Sequence, residues 1–194
     1  MNFCGSWKYN DKIISIKKND KVFTCSLPRK SIGMLFNNNL VASEFDDTVQ
    51  SAGICVYSPI GDGSSFYALW SSIGVRGQLG SGIALKRDET TGFVGEFDVR
   101  YFLGRNEDGS FSVKIKQIEN EGIFKLSWYT DDKKVFHGIG FLIEHSLAFA
   151  WGVTDCKFSF SRFCYRVNND TEKLTRQMVA WDSAKIESED YFRA

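Results

Sequence analysis

The feature that most constrains this chain is alternation with a period of two residues. In Phe111-Ser112-Val113-Lys114-Ile115-Lys116 every second side chain is apolar and the others are polar. An extended backbone sends successive side chains to opposite faces, so such a run offers one face to a core and one to water. Between Phe93 and Tyr101, Phe93, Phe97, Val99 and Tyr101 share one side, while Glu96, Asp98 and Arg100 share the other. In Leu147 to Gly152, Leu147, Phe149 and Trp151 lie together, with only small residues opposite. Turn signals punctuate the runs: Asn19-Asp20, Asn37-Asn38-Asn39, Gly61-Asp62-Gly63, Glu107-Asp108-Gly109, Asn120-Glu121-Gly122, Asp131-Asp132 and Asn168-Asn169-Asp170. Asn, Asp and Gly tolerate the positive φ of tight hairpins. The spacing predicts an all-β, antiparallel chain of about fourteen to sixteen short strands, as in a barrel or sandwich.

Two stretches are ambiguous at this level. Thr171 to Ile186 has the one helix-compatible pattern, yet Leu174 to Ala180 reads equally as a strand. Along Phe158 to Val167 the apolar positions switch from even (Phe158, Phe160) to odd (Phe163, Tyr165, Val167). A β-bulge near Ser161-Arg162 is expected to produce that flip.

The chain also resembles itself. Ser31-Ile32-Gly33-Met34-Leu35-Phe36 matches Gly138-Ile139-Gly140-Phe141-Leu142-Ile143, and at the same offset Leu40 meets Leu147. Val22-Phe23 matches Ile123-Phe124, Ile14-Ser15-Ile16 matches Val113-Lys114-Ile115, and Tyr57 meets Tyr165 one residue out of step. The order is kept throughout, as an internal duplication of a unit of roughly 95 residues would leave it. The competing readings are alternation shared by any β meander and a register that matches Trp70, Gly80 and Gly82 to Trp128, Gly138 and Gly140. Polar Lys86-Arg87-Asp88-Glu89-Thr90-Thr91 marks the junction. The expected units are residues 1–88 and 89–194, each an eight-stranded unit, or the two running together as one continuous barrel.

Gly5-x-Trp7 at the head of the first strand resembles the G-x-W opening of calycins, the lipocalin and avidin type of β-barrel. Gly138-Ile139-Gly140, a turn, then Leu147-Ala148-Phe149-Ala150-Trp151-Gly152, is similar to a pattern in uncharacterised bacterial calycin-like proteins. Cys164-Tyr165-Arg166-Val167 and Leu174-Thr175 would continue it. In the first half Glu44-Phe45 replaces the Trp-Gly pair. The resemblance implies a calycin-like barrel with an apolar lumen and, by itself, no particular ligand.

Candidate chemistry is sparse. Of 194 residues, 43% are hydrophobic, and Lys+Arg and Asp+Glu are each 24. No net field steers the chain toward nucleic acid or an anionic membrane. Seven basic residues among the first thirty (Lys8, Lys12, Lys17, Lys18, Lys21, Arg29, Lys30) read as a solvated outer face. Five cysteines without C-x-x-C spacing suggest neither a disulfide framework nor a zinc site. No signal-peptide pattern opens the chain, so a cytoplasmic location is expected. Glu96 and Asp98, about 7 Å apart on one face, could do acid–base work, but Arg100 beside them suggests a charge ladder. His137 could meet an acidic residue or Cys164, without a supporting motif. The Gly74 to Gly82 loop with Arg76 could hold an anion but lacks G-K-[ST]. Paired glycines, Gly80 with Gly82 and Gly138 with Gly140, suggest strand curvature or a wall thinned for a ligand.

The leading expectation is therefore a non-enzymatic binding protein. It would hold a small apolar or amphipathic ligand in a barrel lumen lined by Trp128, Phe149, Trp151 and Tyr165, with no cofactor, metal or catalytic residue. A structural or protein-interaction module with a filled core, self-associating through an outer face, is one alternative. An enzyme with its site at a barrel mouth is the other.

Overall fold

The computed structural model describes residues 2–26, 29–75, 77–118, 122–153, 156–168, 171–183 and 185–194. The chain opens with five strands: β1 (Gly5–Tyr9), β2 (Lys12–Asn19), β3 (Val22–Ser26), β4 (Lys30–Phe36) and β5 (Asn39–Phe45). Eight follow without interruption: β6 (Ala52–Ile60), β7 (Ser65–Ser72), β8 (Gly80–Lys86), β9 (Gly95–Leu103), β10 (Asn106–Gln117), β11 (Ile123–Thr130), β12 (Lys133–Ile143) and β13 (Ser146–Val153). Three more end it: β14 (Phe158–Asn168), β15 (Thr171–Ala180) and β16 (Glu187–Arg193). A single 3-10 turn, Ile73–Val75, is the helical element among the described residues. The ambiguous stretch from Thr171 thus opens as strand β15. The expected turns place Asn37, Asn38, Asp131 and Asp132 at positive φ. Asn120, Glu121, Asn169, Asp170 and Arg76 lie outside the described residues.

The strands close into two antiparallel eight-stranded barrels. The first takes β1–β5 and β14–β16, and the second takes β6–β13. This corrects the expected division into 1–88 and 89–194. The polar stretch around Lys86 to Thr91 is the connection between β8 and β9, which pair inside the second barrel. Polarity there marks an exposed hairpin, which a sequence pattern does not distinguish from a linker.

The two halves of the chain nevertheless correspond strand for strand. Replacing each of β1–β8 by the strand eight places later, and the reverse, converts the strand order of one barrel into that of the other. Ladder registers agree as well. Phe23 stands opposite Gly33 and Phe124 opposite Gly140. Ile16 faces Cys25 as Ile115 faces Leu126. Gly5 faces Ile16 as Gly95 faces Ile115, and these two glycines share an unusual φ of 132° and 138°. A cation covers the aromatic ring two residues after each: Arg193 lies 4.5 Å from the Trp7 ring centroid, and Lys86 lies 5.6 Å from that of Phe97. One expected match shifts. Leu147 faces Tyr57, whereas Leu40 faces Phe163, so the counterpart of Tyr57 is Phe163 and not Tyr165. A slip of two residues leaves every side chain on its own face, so alternation alone does not detect it.

Each half therefore gives its first five strands to one barrel and its last three to the other. The chain crosses between barrels after β5 and again after β13. At the crossings the N–H of Val153 donates to the Ser51 carbonyl (3.3 Å). At the opposite ends of β5 and β13, Asn37 Nδ2 donates to Glu144 Oε2 (2.9 Å), joining two corresponding turns.

Three apolar clusters follow from this arrangement. Two lie inside the barrels. The third lies between the barrels, where Ile32, Met34, Val41 and Phe45 of the first meet Ile54, Ile139, Phe141 and Ala148 of the second. Burying each large side chain in this seam is worth about 1.5–3 kcal/mol. The small residues opposite Phe149 and Trp151, Ala148 and Ala150, belong to this seam. The same cause explains β14 without a bulge. Its ladders to β5 and β15 run without a register shift. Phe158 and Phe160 face the other barrel and Phe163 faces the lumen, so the apolar face switches because both faces are buried at different points along the strand.

Candidate functional site

A cavity of ≈ 360 Å³ opens at one end of the second barrel. Its wall takes Trp70 from β7, Tyr101 from β9, Phe111 from β10, Trp128 from β11, Phe136 from β12 and Trp151 from β13, with Cys55 from β6. Eight-stranded barrels are wide enough to be filled by side chains or to hold one small ligand. Here the aromatic rings line the wall instead of meeting at the axis, because several lie over glycines of the neighbouring strand. A Cβ added at Gly53 would come 2.6 Å from the Trp151 ring, and one at Gly138 would come 2.9 Å from the Trp128 ring. Trp70 lies in the same way against Gly80, and Tyr101 against Gly82. Gly80, Gly82 and Gly138 are thus seats for aromatic rings, whereas a Cβ at Gly140 would meet the Ala148 carbonyl oxygen and the Phe149 backbone.

The polar atoms of the aromatic wall are specifically held, and Ser51 and Ser72 add hydroxyls to the lining. Trp70 Nε1 donates to the Ser81 carbonyl (2.9 Å). Trp128 Nε1 donates to Tyr101 Oη (3.1 Å), and the hydroxyls of Tyr57 and Tyr101 lie 2.5 Å apart. Tyr57 is fully buried beneath the wall. Burial pushes both phenols well above their ordinary ionisation range, so they stay neutral. Burial likewise raises the Cys55 thiol, which leaves it without thiolate character. Asp108, exposed, is the one charged residue lining the cavity among the described residues.

Of the four residues expected to line a lumen, Trp128 and Trp151 do so directly. Phe149 lies just beneath, fully buried, with its ring 4.9 Å from Tyr57 and 5.6 Å from Trp128. Tyr165 does not join them. It sits in the first barrel beside Phe3 (6.0 Å) and Trp7 (5.8 Å), because β14 has already crossed over. Sequence reasoning missed Phe111, Phe136 and Tyr57 as site residues. Tyr101 was visible as the last apolar-face residue of its run, without any sign that its hydroxyl is engaged.

Corresponding positions in the first barrel carry different chemistry. Ladder register places Glu44 where the second barrel has Trp151. Ser31 and Ser159, its partners across the ladders, stand where the second barrel has Gly138 and Gly53. Arg176 Nη2 donates to both Glu44 oxygens (2.6 and 2.7 Å), Arg176 Nε to Ser161 Oγ (3.1 Å) and Arg176 Nη1 to Glu189 Oε2 (3.1 Å). Ser161 Oγ donates to Glu44 Oε1 (2.5 Å) and Tyr191 Oη to Glu189 Oε2 (2.6 Å). Glu44 and Arg176 are 4% and 7% exposed, so this network is an internal plug.

The remaining candidates resolve as structure. His137 is buried in the seam between barrels, stacked on Trp181 (4.0 Å between centroids, 18°) and beside Phe158 (5.0 Å), and not at a barrel mouth. Cys164 Sγ donates to Asn39 Oδ1 (3.0 Å). Glu96 pairs with Lys114 (2.7 Å) and Asp98 with Arg87 (2.5 Å), forming an exposed ladder. Arg29 and Lys30 pair with Asp46 (3.1 Å) and Asp47 (3.5 Å). All five cysteines are free thiols, and no helix among the described residues is long and apolar enough to cross a membrane.

Comparison with protein-family models, curated proteins and solved structures finds no match to this chain.

Proposed function

We propose that this protein is a non-enzymatic binder of a small apolar ligand, held in the cavity of the second barrel. One observation carries the reading. Two barrels of the same strand order differ at corresponding positions, one bearing the Glu44–Arg176 plug and the other an aromatic wall around ≈ 360 Å³. Small-ligand sites are typically concave and apolar with a few placed polar groups. The resemblance to calycins, a group of lumen-bearing barrels, points the same way. Five free thiols suit a reducing compartment, and we place the protein in the cytoplasm.

The experiment is native mass spectrometry on gently purified protein, followed by denaturing extraction. An extractable stoichiometric mass is expected, and it identifies the ligand's class. A Cys55→Leu variant, which adds volume to the lumen, should lose that mass while staying folded. Bare protein that also takes up no apolar dye would sink the proposal. It would favour the interaction-module reading, for which the exposed Tyr67, Ile83 and Leu85 on the outer wall of the second barrel are the relevant surface.

A further inference from the structure

The cavity contains a proton-counting problem, and its solution specifies the ligand. Trp128 N–H, Tyr57 O–H and Tyr101 O–H bring three donors to two hydrogen bonds: Trp128 Nε1 to Tyr101 Oη (3.1 Å), and the contact between the two hydroxyls (2.5 Å). One phenolic proton is left over. Tyr57 is fully buried and does not line the cavity, and its hydroxyl is bonded to that of Tyr101. Were Tyr101 the donor, the Tyr57 proton would be left with no acceptor in an apolar interior, where an unmade hydrogen bond is not compensated by water. Tyr57 is therefore the donor, and Tyr101 Oη accepts from both Tyr57 and Trp128. The Tyr101 proton is free, and Tyr101 belongs to the cavity wall.

We infer that Tyr101 is a specificity-determining residue that donates a hydrogen bond to the ligand, which is a neutral, ring-bearing apolar molecule carrying a carbonyl or ether oxygen. This rests on the ligand-binding reading above. Neutrality follows from the cost of moving an ion from water into an apolar lumen, and the charge at the site adds to that cost for an anion. Asp108 is the charged lining residue among those described, and its carboxylate disfavours an anionic ligand such as a fatty acid. The aromatic wall of Trp70, Phe111, Phe136 and Trp151 suits flat rings, which stack or meet edge-on.

Isothermal titration calorimetry with three matched probes tests this: 2-acetylnaphthalene, 2-ethylnaphthalene and 2-naphthoate. The wild-type protein should bind the ketone roughly tenfold more tightly than the hydrocarbon, the difference one neutral hydrogen bond makes, and the carboxylate most weakly. Tyr101→Phe should abolish the preference for the ketone. That change also strips Trp128 and Tyr57 of their acceptor and threatens folding, so Tyr57→Phe is the second variant. It leaves the Tyr101 proton free, and the ketone preference should persist. Equal binding of ketone and hydrocarbon by the wild type, with a preference appearing only in Tyr57→Phe, would show that Tyr101 donates to Tyr57 and would overturn the inference alone. Failure of the wild type to bind any of the three probes would overturn the ligand-binding reading and this inference with it.

Discussion

Glu44 and Arg176 show how one position is used differently in two copies of one frame. A buried ion pair recovers its desolvation cost only when its geometry is good and its remaining polar atoms are satisfied. Here Ser161 and Glu189 complete the arrangement, and the Arg176 guanidinium lies 5.9 Å from the Phe163 ring. Removing one partner leaves the other charge buried. Arg176→Ala should therefore lower stability by about 3–5 kcal/mol, read as a drop in the urea midpoint. The double change Glu44→Leu with Arg176→Met should restore most of it, since a well-packed apolar pair can replace a buried ion pair. Equal stability of the single and double variants would show that the charges are not energetically coupled.

Between neighbouring strands, the working unit is a glycine and the aromatic ring above it. The N–H and C=O ladder holds strands at a fixed separation, so a large ring fits flat against the wall only where the adjacent strand lacks a side chain. At Gly138 a Cβ would meet the Ala150 carbonyl oxygen at 2.9 Å as well as Trp128. The backbone oxygen cannot rotate away, so the ring or the strand must shift. Gly138→Ala should cost about 1–3 kcal/mol and move the tryptophan emission maximum. Gly74→Ala meets only Ser72 Oγ, at an ordinary 3.7 Å, and should stay within about 0.5 kcal/mol of the wild type. Equal effects of the two changes would rule out the seating role. Sequence reasoning recognised these glycines as paired on one face but assigned them to curvature or a thinned wall. Their partners lie on other strands, and no local pattern names them.

The whole molecule is built by reciprocal exchange. Residues 1–86 supply β1–β5 to one barrel and β6–β8 to the other, and the rest of the chain does the converse. Neither half closes a barrel alone, and the seam between barrels adds a third buried cluster. Cleavage at a protease site inserted between Asp88 and Thr91 should therefore leave the two fragments associated. They should elute together with an unchanged β-sheet spectrum and separate only in denaturant. Fragments that part under native conditions and remain folded would contradict the exchanged arrangement.

Alternation and turn chemistry are local. They made the strands, their inner and outer faces, the hairpin turns and the internal repeat legible, because a residue's side of a strand depends only on its place in a period of two. They made Trp128, Phe149 and Trp151 legible as inward-facing for the same reason. Which strand follows β5 in the barrel was not legible, since β6 and β14 present the same backbone donors and acceptors along their edges. Tyr165 was assigned to the wrong lumen on that account, and the switching face of β14 was mistaken for a bulge. The tertiary structure decided the exchange, because burying the second apolar face of β5, β6, β13 and β14 required two barrels back to back. It also decided the candidate site. Only closure of β6–β13 brings Tyr57, Tyr101 and Trp128 within hydrogen-bonding reach and leaves a space beside them.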